Sequence, residues 1–191
     1  MIDRSVTVAK GSKLPFYIWD ETKQSGETFG ERLANAVEEI FKKGHQKILV
    51  IGNDCLHLSH KHILLAKNAL QYQDTLVAPT KKGGAYLIGL TKNSFNKESF
   101  SGIRWQTVFT CQDLFNLYSP SAVCGLPVLD DVNDFTDLKN QLTGLLQFDT
   151  FRCFIQSIIA SLQKHHKNFE NQYSALAPRN FFRLKAPPAL N

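Results

Sequence analysis

A short apolar run that ends in an acidic turn limits most strongly how this chain can fold. The run from Lys47 to Ile51 is rich in branched side chains and is bounded by turn-forming residues, which predicts a buried strand. Gly52, Asn53 and Asp54 follow it and leave one carboxylate at the carboxyl end of the strand. Ligands of open α/β sheets bind outside that end. Asp54 is therefore a candidate ligand for Mg²⁺ or Mn²⁺, and the alternative is an aspartate that only closes the turn.

The segments around this strand alternate between helical and extended patterns. A capping box, Thr28 with Glu31, predicts a helix that ends at Gly44, and Ser59 is predicted to cap a second helix. The predicted helices cover about residues 4–10, 28–44, 59–72, 107–118, 134–146 and 151–162. The predicted strands cover residues 14–19, 47–51, 75–78 and 85–90, and residues 122–129 are expected to be partly extended. Such alternation is typical of an α/β fold with a mostly parallel sheet covered by helices on both faces.

Length and charge indicate the domain organisation. A chain of 191 residues with 43% hydrophobic side chains can bury one core. We expect one domain over residues 1–146, and a C-terminal helix and basic tail over residues 147–191 that pack on it. Residues 151–191 hold six of the 22 basic side chains but one of the 17 acidic ones. These charges are spread along the tail, which favours a solvated or phosphate-facing surface over a nucleic-acid face.

No segment has the composition of a membrane span or of a disulfide framework. The apolar stretches fall short of the roughly 20 residues that are needed to cross a bilayer. The four cysteines are scattered and form no CxxC pair, which indicates reduced thiols. We therefore expect a cytoplasmic protein without a membrane partner.

Five segments, in order along the chain, carry a resemblance to a known family. They are Gln24–Arg32, Ile51–Cys55, Gly83–Leu90, Ile103–Thr107 and Leu129–Asn133. Together they resemble the radical-SAM/selenodomain-associated transferases, a glycosyltransferase-like family of the GT-A nucleotide-diphospho-sugar transferase superfamily, over residues 12 to 146. The resemblance implies a Rossmann-like GT-A three-layer sandwich. It also implies that the family's first strand has no counterpart here, so that a swapped or paired homo-oligomer is one way to complete the sheet.

The same resemblance implies a set of site residues. A divalent metal, Mg²⁺ or Mn²⁺, is expected at Asp54, Asp131 and Asn133, and Asp54 and Lys82 are the implied catalytic residues. The residues implied to contact the nucleotide or substrate are Gln24, Arg32, Asn53, Gly83, Gly84 and Trp105. Two of these site positions depart from the family pattern, because Lys82 replaces an acidic residue and Asn133 replaces a second aspartate. Asn133 can still offer a carbonyl oxygen but brings no charge.

Several of these residues also have a purely structural interpretation. Asn133 can cap the helix that follows it, and Trp105 can be an aromatic residue of the core or its rim. The double glycine can serve only as a turn, and Glu31 is already explained by the capping box. Three histidines near Asp54 have no settled ligand spacing and are expected to be solvated, namely His57, His60 and His62. Cys55 is expected to fill space rather than to act as a nucleophile.

The sequence leaves three functions open. The first is metal-dependent glycosyl or nucleotidyl transfer from a nucleotide or nucleotide-sugar donor. The second is a non-catalytic relative that keeps the fold and binds a nucleotide, a small anion or a protein partner, with Lys82 and the basic tail supplying charge. The third is an unrelated α/β module that binds nucleic acid through its basic tail.

Overall fold

The computed structural model describes residues 1–118, 126–142, 144–145 and 149–161. The strands are β1 (Lys47–Ile51), β2 (Thr75–Pro79) and β3 (Ala85–Thr91). The helices are α1 (Ile2–Gly11), α2 (Phe29–Lys42), α3 (His60–Ala69), α4 (Lys97–Ser101), α5 (Thr110–Tyr118), α6 (Phe135–Leu142) and α7 (residues 150–161). The backbone divides into two compact units, Met1–Leu145 and Leu146–Asn191, and the three strands lie in the first.

The three strands form an antiparallel sheet in the order β1-β3-β2. Ile48 lies opposite Leu90 and Val77 lies opposite Ile88, and both pairings are antiparallel. The expectation of a mostly parallel, Rossmann-like sheet is therefore wrong for these strands. The physical reason is the short loop 80–84, because a connection of that length can join only antiparallel neighbours. β3 lies between β1 and β2, and these two outer strands run in the same direction.

Two hydrophobic clusters place helices on both faces of the sheet. In the first cluster, Val77 of β2 is buried with Phe41 of α2 and Leu114 of α5. In the second, Leu76 of β2 is buried with Ala66 of α3. Successive side chains of a strand point to opposite faces, so the continuous apolar run of β2 supplies both clusters. The structure thus has the mixed α/β layering that the sequence predicts, built on an antiparallel sheet.

Helix α2 begins at the predicted capping box and lies close to α4. Thr28 Oγ1 accepts a hydrogen bond from the Glu31 N–H at 3.1 Å, and the Glu31 carboxylate accepts one from the Glu27 N–H at 2.8 Å. A Cβ added at Gly30 would lie 2.2 Å from the carbonyl oxygen of Ser101 in α4. Glycine at this position therefore allows the two helices to touch. Helix α4 was not predicted from the sequence, because it is too short to show a helical period.

No strand forms at residues 14–19, contrary to the prediction. Phe16, Tyr17 and Ile18 are 41%, 50% and 44% exposed, and no backbone hydrogen bond joins this segment to a strand among the described residues. The Tyr17 hydroxyl is instead 2.9 Å from His45 Nε2. A strand needs a neighbour for its backbone groups, and apolar composition alone does not supply one.

The other predicted elements agree with the structure apart from their ends. The helix predicted over 107–118 begins at Thr110, and the one predicted over 134–146 is described over Phe135–Leu142. The amphipathic helix predicted from residue 151 is α7. Residues 119–125, 143, 146–148 and the tail from 162 lie outside the described residues, and so does half of the segment predicted to be partly extended. Among the helices described, none is both long and apolar enough to cross a membrane.

His62 stabilises the start of α3 in its neutral form. The Ser59 N–H donates to His62 Nδ1 at 3.1 Å, and the ring packs edge-on against Tyr86 with centroids 6.2 Å apart. Burial lowers the pKa of His62. A ring nitrogen that accepts a hydrogen bond cannot also carry a proton. His62 is therefore partly buried as well as hydrogen-bonded, and it takes the place that Glu or Gln holds in a common capping box.

Mild acid is expected to destabilise the protein through His62. In the unfolded chain, His62 binds a proton at about pH 6.5, whereas in the folded chain it binds one only at a lower pH. The free energy of unfolding should therefore fall as the pH drops below that value, until the folded pKa is passed. His62→Gln keeps an acceptor for the Ser59 N–H and should flatten this dependence, while His60→Gln should keep it. Thermal unfolding between about pH 5 and 8 measures the effect; an unchanged slope in His62→Gln contradicts the expectation.

Candidate metal centre

Asp54 stands at the end of β1, where the sequence places it. The Gly52 N–H donates to the Tyr86 carbonyl at 3.0 Å, which extends the β1–β3 pairing into the turn. The Asp54 carbonyl accepts a hydrogen bond from the Val132 N–H at 2.9 Å. A Cβ added at Gly52 would lie 2.7 Å from Asp54 Oδ1, so the carboxylate folds back over the turn. The backbone thus joins this turn to the segment that carries Asp131.

Asp131 reaches the same place from a distant part of the chain. Thr80 and Leu129 form a parallel bridge, and the Lys81 N–H donates to the Leu129 carbonyl at 3.0 Å. From α6, the Gln141 side chain donates to the Asp131 carbonyl at 2.9 Å. Asp131 itself is only 9% exposed. The bridge and α6 together hold a buried carboxylate beside the turn after β1.

Asp131 is close enough to Asp54 for its negative charge to act on the Asp54 carboxylate. Burial raises the pKa of Asp54, its own N–H partly offsets that effect, and the negative charge of Asp131 raises the pKa further. Asp131 Oδ1 is buried and accepts no hydrogen bond from any described residue. A buried carboxylate oxygen without a donor is unfavourable, and a bound cation would remove both this cost and the repulsion. The pair therefore fits a divalent cation.

The available donors suit a hard cation that also binds a substrate. The described ranges contain no group of three or more His, Cys, Asp or Glu side chains that could enclose a metal. Mg²⁺ usually binds proteins through one or two carboxylates and completes its shell with water and phosphate oxygens. Burial and the charge of Asp54 raise the pKa of the Cys55 thiol, which disfavours the thiolate that metal binding or nucleophilic attack would need. The two carboxylates, Asp54 and Asp131, are within the number that Mg²⁺ usually takes from a protein when phosphates complete its shell.

Lys82 and Asn133 meet at Asp137, a residue that the sequence analysis missed. Lys82 Nζ is 2.5 Å from Asp137 Oδ2, and the Asn133 N–H donates to the same oxygen at 3.0 Å. The hydrogen bond from Lys82 lowers the pKa of Asp137. Asp134 Oδ1 accepts a hydrogen bond from the Asp137 N–H at 2.8 Å and caps α6, so the helix does not use Asn133 as its cap. The spacing of Asp134 and Asp137 at the start of a predicted helix was the sequence feature that could have identified Asp137.

Gly83 and Gly84 turn the β2–β3 hairpin against the loop before α5. Gly83 has a φ of +85°, and its carbonyl accepts a hydrogen bond from the Cys111 N–H at 2.8 Å. A Cβ added at Gly83 would lie 2.0 Å from the carbonyl oxygen of Val108. A Cβ added at Gly84 would lie 3.5 Å from Asp131 Oδ2. Gly83 is thus required by the backbone, and Gly84 borders the carboxylate pair.

Two of the residues implied to contact substrate make contacts within the fold. The Gln24 side chain donates to the Trp19 carbonyl at 3.1 Å. Trp105 Nε1 donates to the Phe100 carbonyl at 2.9 Å, and the indole packs edge-on against the Phe100 ring. No hydrogen bond or ion pair within the described ranges links either side chain to the carboxylate pair. Their part in substrate binding stays a prediction.

Arg32 and Asn53 also stay predictions as substrate contacts. Arg32 lies in the first turn of α2, and Asn53 is exposed in the turn after β1. Two shallow concavities of about 450 and 390 Å³ lie elsewhere on the described surface, one lined by residues 16–19 and the other by residues of α2 and α4. The candidate site is therefore identified by the chemistry of its carboxylates and not by a deep pocket.

Comparison with known proteins gives two similarities. The family described as "Uncharacterized protein conserved in bacteria (DUF2064)" matches residues 13–107. Among solved structures, the putative nucleotide-diphospho-sugar transferase from Desulfovibrio desulfuricans G20 is similar, with a TM-score of 0.64 and 27% sequence identity. The match covers 74% of this chain and 64% of that protein, so the chain spans less than two thirds of its length. No curated protein matches the chain.

These similarities support the expected relation to GT-A-like proteins. The family match includes Asp54, Gly83 and Gly84 but ends before Asp131. The narrower resemblance to the radical-SAM/selenodomain-associated transferases stays a prediction.

Proposed function

We propose that this chain is a glycosyltransferase-like protein that binds a nucleotide or nucleotide-sugar donor with a divalent metal at Asp54 and Asp131. The observation that carries the proposal is the buried Asp131 Oδ1, which lacks a donor among the described residues and lies beside the Asp54 turn. The similarity to a nucleotide-diphospho-sugar transferase supports the class of donor. A cytoplasmic location belongs to the proposal because Cys55 and Cys111 are free thiols.

In this proposal, the chain's own residues hold the metal and orient the donor. Asp54 and Asp131 offer oxygen ligands from two segments that the Val132–Asp54 hydrogen bond holds together. Asn133 is the third, uncharged candidate, and it lies two residues after Asp131. When bound, Mg²⁺ or Mn²⁺ would supply positive charge to a diphosphate leaving group. Gly84 has no Cβ, so a phosphate can approach the hairpin backbone closely.

Lys82 would act at the rim of this site. Its side chain is 48% exposed while it pairs with Asp137. The hydrogen bond to Asp137 is the largest cause of the raised pKa of Lys82. The charges of Asp137, Asp134 and Asp131 raise it further, in that order. The Lys82 ammonium is therefore near enough to the buried Asp131 to be affected by its charge. An exposed ion pair is weak, so Lys82 can exchange Asp137 for a donor phosphate at small cost. The proposed role of Lys82 is therefore to bind the donor.

A second candidate function is a non-catalytic module that binds a nucleotide or another anion without a metal. The observation that favours it is the pair of lysines on the 80–84 loop, since Lys81 Nζ lies 2.7 Å from Asp130 Oδ2 and Lys82 pairs with Asp137. Both cations belong to the loop that borders Asp131 at Gly84, and both can attract an anion directly. Such binding would be indifferent to Mn²⁺ and would be lost in Lys82→Glu.

Calorimetric titration with UDP, GDP, CDP and ADP, each with and without Mn²⁺, separates these functions. We expect one nucleotide to bind only with Mn²⁺ and Asp54→Ala to abolish that binding. The matched control is Asp130→Ala, which removes a neighbouring carboxylate that is 41% exposed and lies outside the pair. Binding that persists in Asp54→Ala, or that does not need the metal, would reject the metal site. An absence of binding to all four nucleotides would reject a nucleotide donor.

A further inference from the structure

The two outer strands of the sheet differ in how well their outer edges are covered. Residues 75–78 of β2 are buried, and the chain continues from β2 into the bridge between Thr80 and Leu129. In β1, Lys47 is exposed and residues 48–51 are each partly exposed. Among the described residues, no strand pairs with the edge of β1 that faces away from β3, so this edge is the open one there.

The hydrogen bonds at both ends of β1 identify the groups at this edge. The Gly52 N–H donates to the Tyr86 carbonyl, and the Lys92 N–H donates to the Gln46 carbonyl at 2.9 Å. Backbone groups of an antiparallel pair alternate between the partner and the opposite side, so the even-numbered residues of β1 face β3. The N–H and C=O groups of residues 47, 49 and 51 therefore face outward. No described residue outside the strand hydrogen-bonds to them.

An edge of this kind is well suited to pairing with another strand. Exposed edge strands are usually protected by charges, prolines or bulges, because their free backbone groups are a template for a further strand. β1 has the sequence Lys47-Ile48-Leu49-Val50-Ile51 and contains no proline. Its register with β3 is continuous, so no bulge turns the edge away. Lys47, at the very start, is the sole charge of this strand.

We propose that a second copy of this chain pairs with this edge, β1 against β1 in antiparallel orientation, with Leu49 opposite its own copy. In this register, Lys47 of each copy lies opposite Ile51 of the other. The opposed pairs of outward-facing residues are then Lys47 with Ile51, Leu49 with Leu49, and Ile51 with Lys47. In each pair the outward N–H and C=O groups face each other, so each pair exchanges two hydrogen bonds. The two-fold axis passes between the Leu49 residues and joins both sheets into one.

Charge and symmetry favour a second copy over an unrelated strand. The outward-facing residues 47, 49 and 51 are symmetric about Leu49, so one register satisfies the edge of both copies. The two Lys47 side chains lie at opposite ends of the paired strands, so like charges do not face each other. β1 therefore matches itself in length, backbone direction and charge.

Lys47→Pro and Lys47→Ala form a matched pair of variants that tests this interface. Both lose the bond from Lys47 Nζ to the Leu70 carbonyl, but only proline loses the outward N–H. Proline is tolerated at the first residue of an edge strand, so the fold should persist. Sedimentation equilibrium should give wild type and Lys47→Ala twice the chain mass of 21.6 kDa, and Lys47→Pro should raise the dimer dissociation constant at least tenfold. A monomeric wild type, or dimers equally stable in both variants, would overturn the proposal.

Residue-resolved amide exchange in the unmodified chain provides a second test that does not depend on a variant. The amides of Leu49 and Ile51 should exchange more slowly as the protein concentration rises, while those of Ile48 and Val50 should not change. The alternation is the signature of pairing at the outer edge. Protection that is independent of concentration, or that rises equally at all four amides, would overturn the self-pairing.

Discussion

Asp54→Asn is expected to raise the thermal stability of the metal-free chain and to remove its affinity for Mn²⁺. The wild-type carboxylate is partly buried and lies in the field of Asp131, and both effects raise its pKa and disfavour its charge. An amide of the same shape has no charge to bury or repel, so the folded state gains stability. The same change leaves one charged ligand for the cation, and we expect affinity for Mn²⁺ to fall by about 100-fold or more.

The raised pKa of Asp54 should add its own contribution to the pH dependence of wild type, opposite in sign to that of His62. Because the folded pKa of Asp54 is raised above its unfolded value, the metal-free chain should gain stability as the pH falls through the folded pKa towards the unfolded one. Protons compete with the cation in that window, so Mn²⁺ affinity should decline there, above the range of an ordinary aspartate. Both dependences should be absent in Asp54→Asn.

Thermal unfolding and Mn²⁺ titration of wild type, Asp54→Asn and Asp130→Asn measure these effects. Asp130 is the control, because its carboxylate pairs with Lys81 and is not buried. Asp130→Asn should bind Mn²⁺ nearly as wild type does. If Asp54→Asn lowers the melting temperature, or binds Mn²⁺ as tightly as wild type, then the carboxylate pair does not have the role assigned to it.

Gly83→Ala is expected to be strongly destabilising, with a loss of about 3–5 kcal/mol in the free energy of unfolding. Its φ of +85° is costly for any other residue, and the new Cβ would lie 2.0 Å from the Val108 carbonyl oxygen. That oxygen belongs to the backbone and cannot rotate away as a side chain would. The loop before α5 would have to move, which would break the hydrogen bond from the Cys111 N–H to the Gly83 carbonyl.

Gly44→Ala separates the two contributions to this loss. Gly44 has a φ of +97°, and a Cβ added there meets no atom within 4 Å. It should therefore cost only the backbone strain of about 1–2 kcal/mol. Urea unfolding of both variants measures the difference. Equal losses in the free energy of unfolding of the two variants would mean that the loop containing Val108 moves at little cost and does not constrain the hairpin.

The sequence predicted local features of this fold well because local physics determines them. The capping box at Thr28 and the apolar run of β1 depend only on neighbouring residues, and both form where expected. The position of Asp54 after β1 follows from that run. Pairing direction depends instead on which strands meet in space, and only the shortness of the 80–84 loop indicated that β3 is antiparallel to β2.

Long-range contacts explain the remaining differences. Residues 14–19 have the composition of a strand, but a strand forms only beside a partner. Asp137 was missed because its role depends on Lys82, which lies far from it in sequence and reaches it only after the hairpin folds. The meeting of Asp54 with Asp131 came from the family resemblance, since no local pattern relates these two residues.

The hydrogen bond between the Val132 N–H and the Asp54 carbonyl has a practical consequence for handling the protein. It joins two segments that lie far apart in the sequence. The candidate metal centre is therefore discontinuous along the chain, and β2 and β3 lie between its two ligands. A protease cut between the two aspartates would leave both carboxylates in the sample yet remove the covalent link that keeps them together. Mn²⁺ retention would then report on the integrity of the chain, and a nicked preparation would be mistaken for an inactive protein.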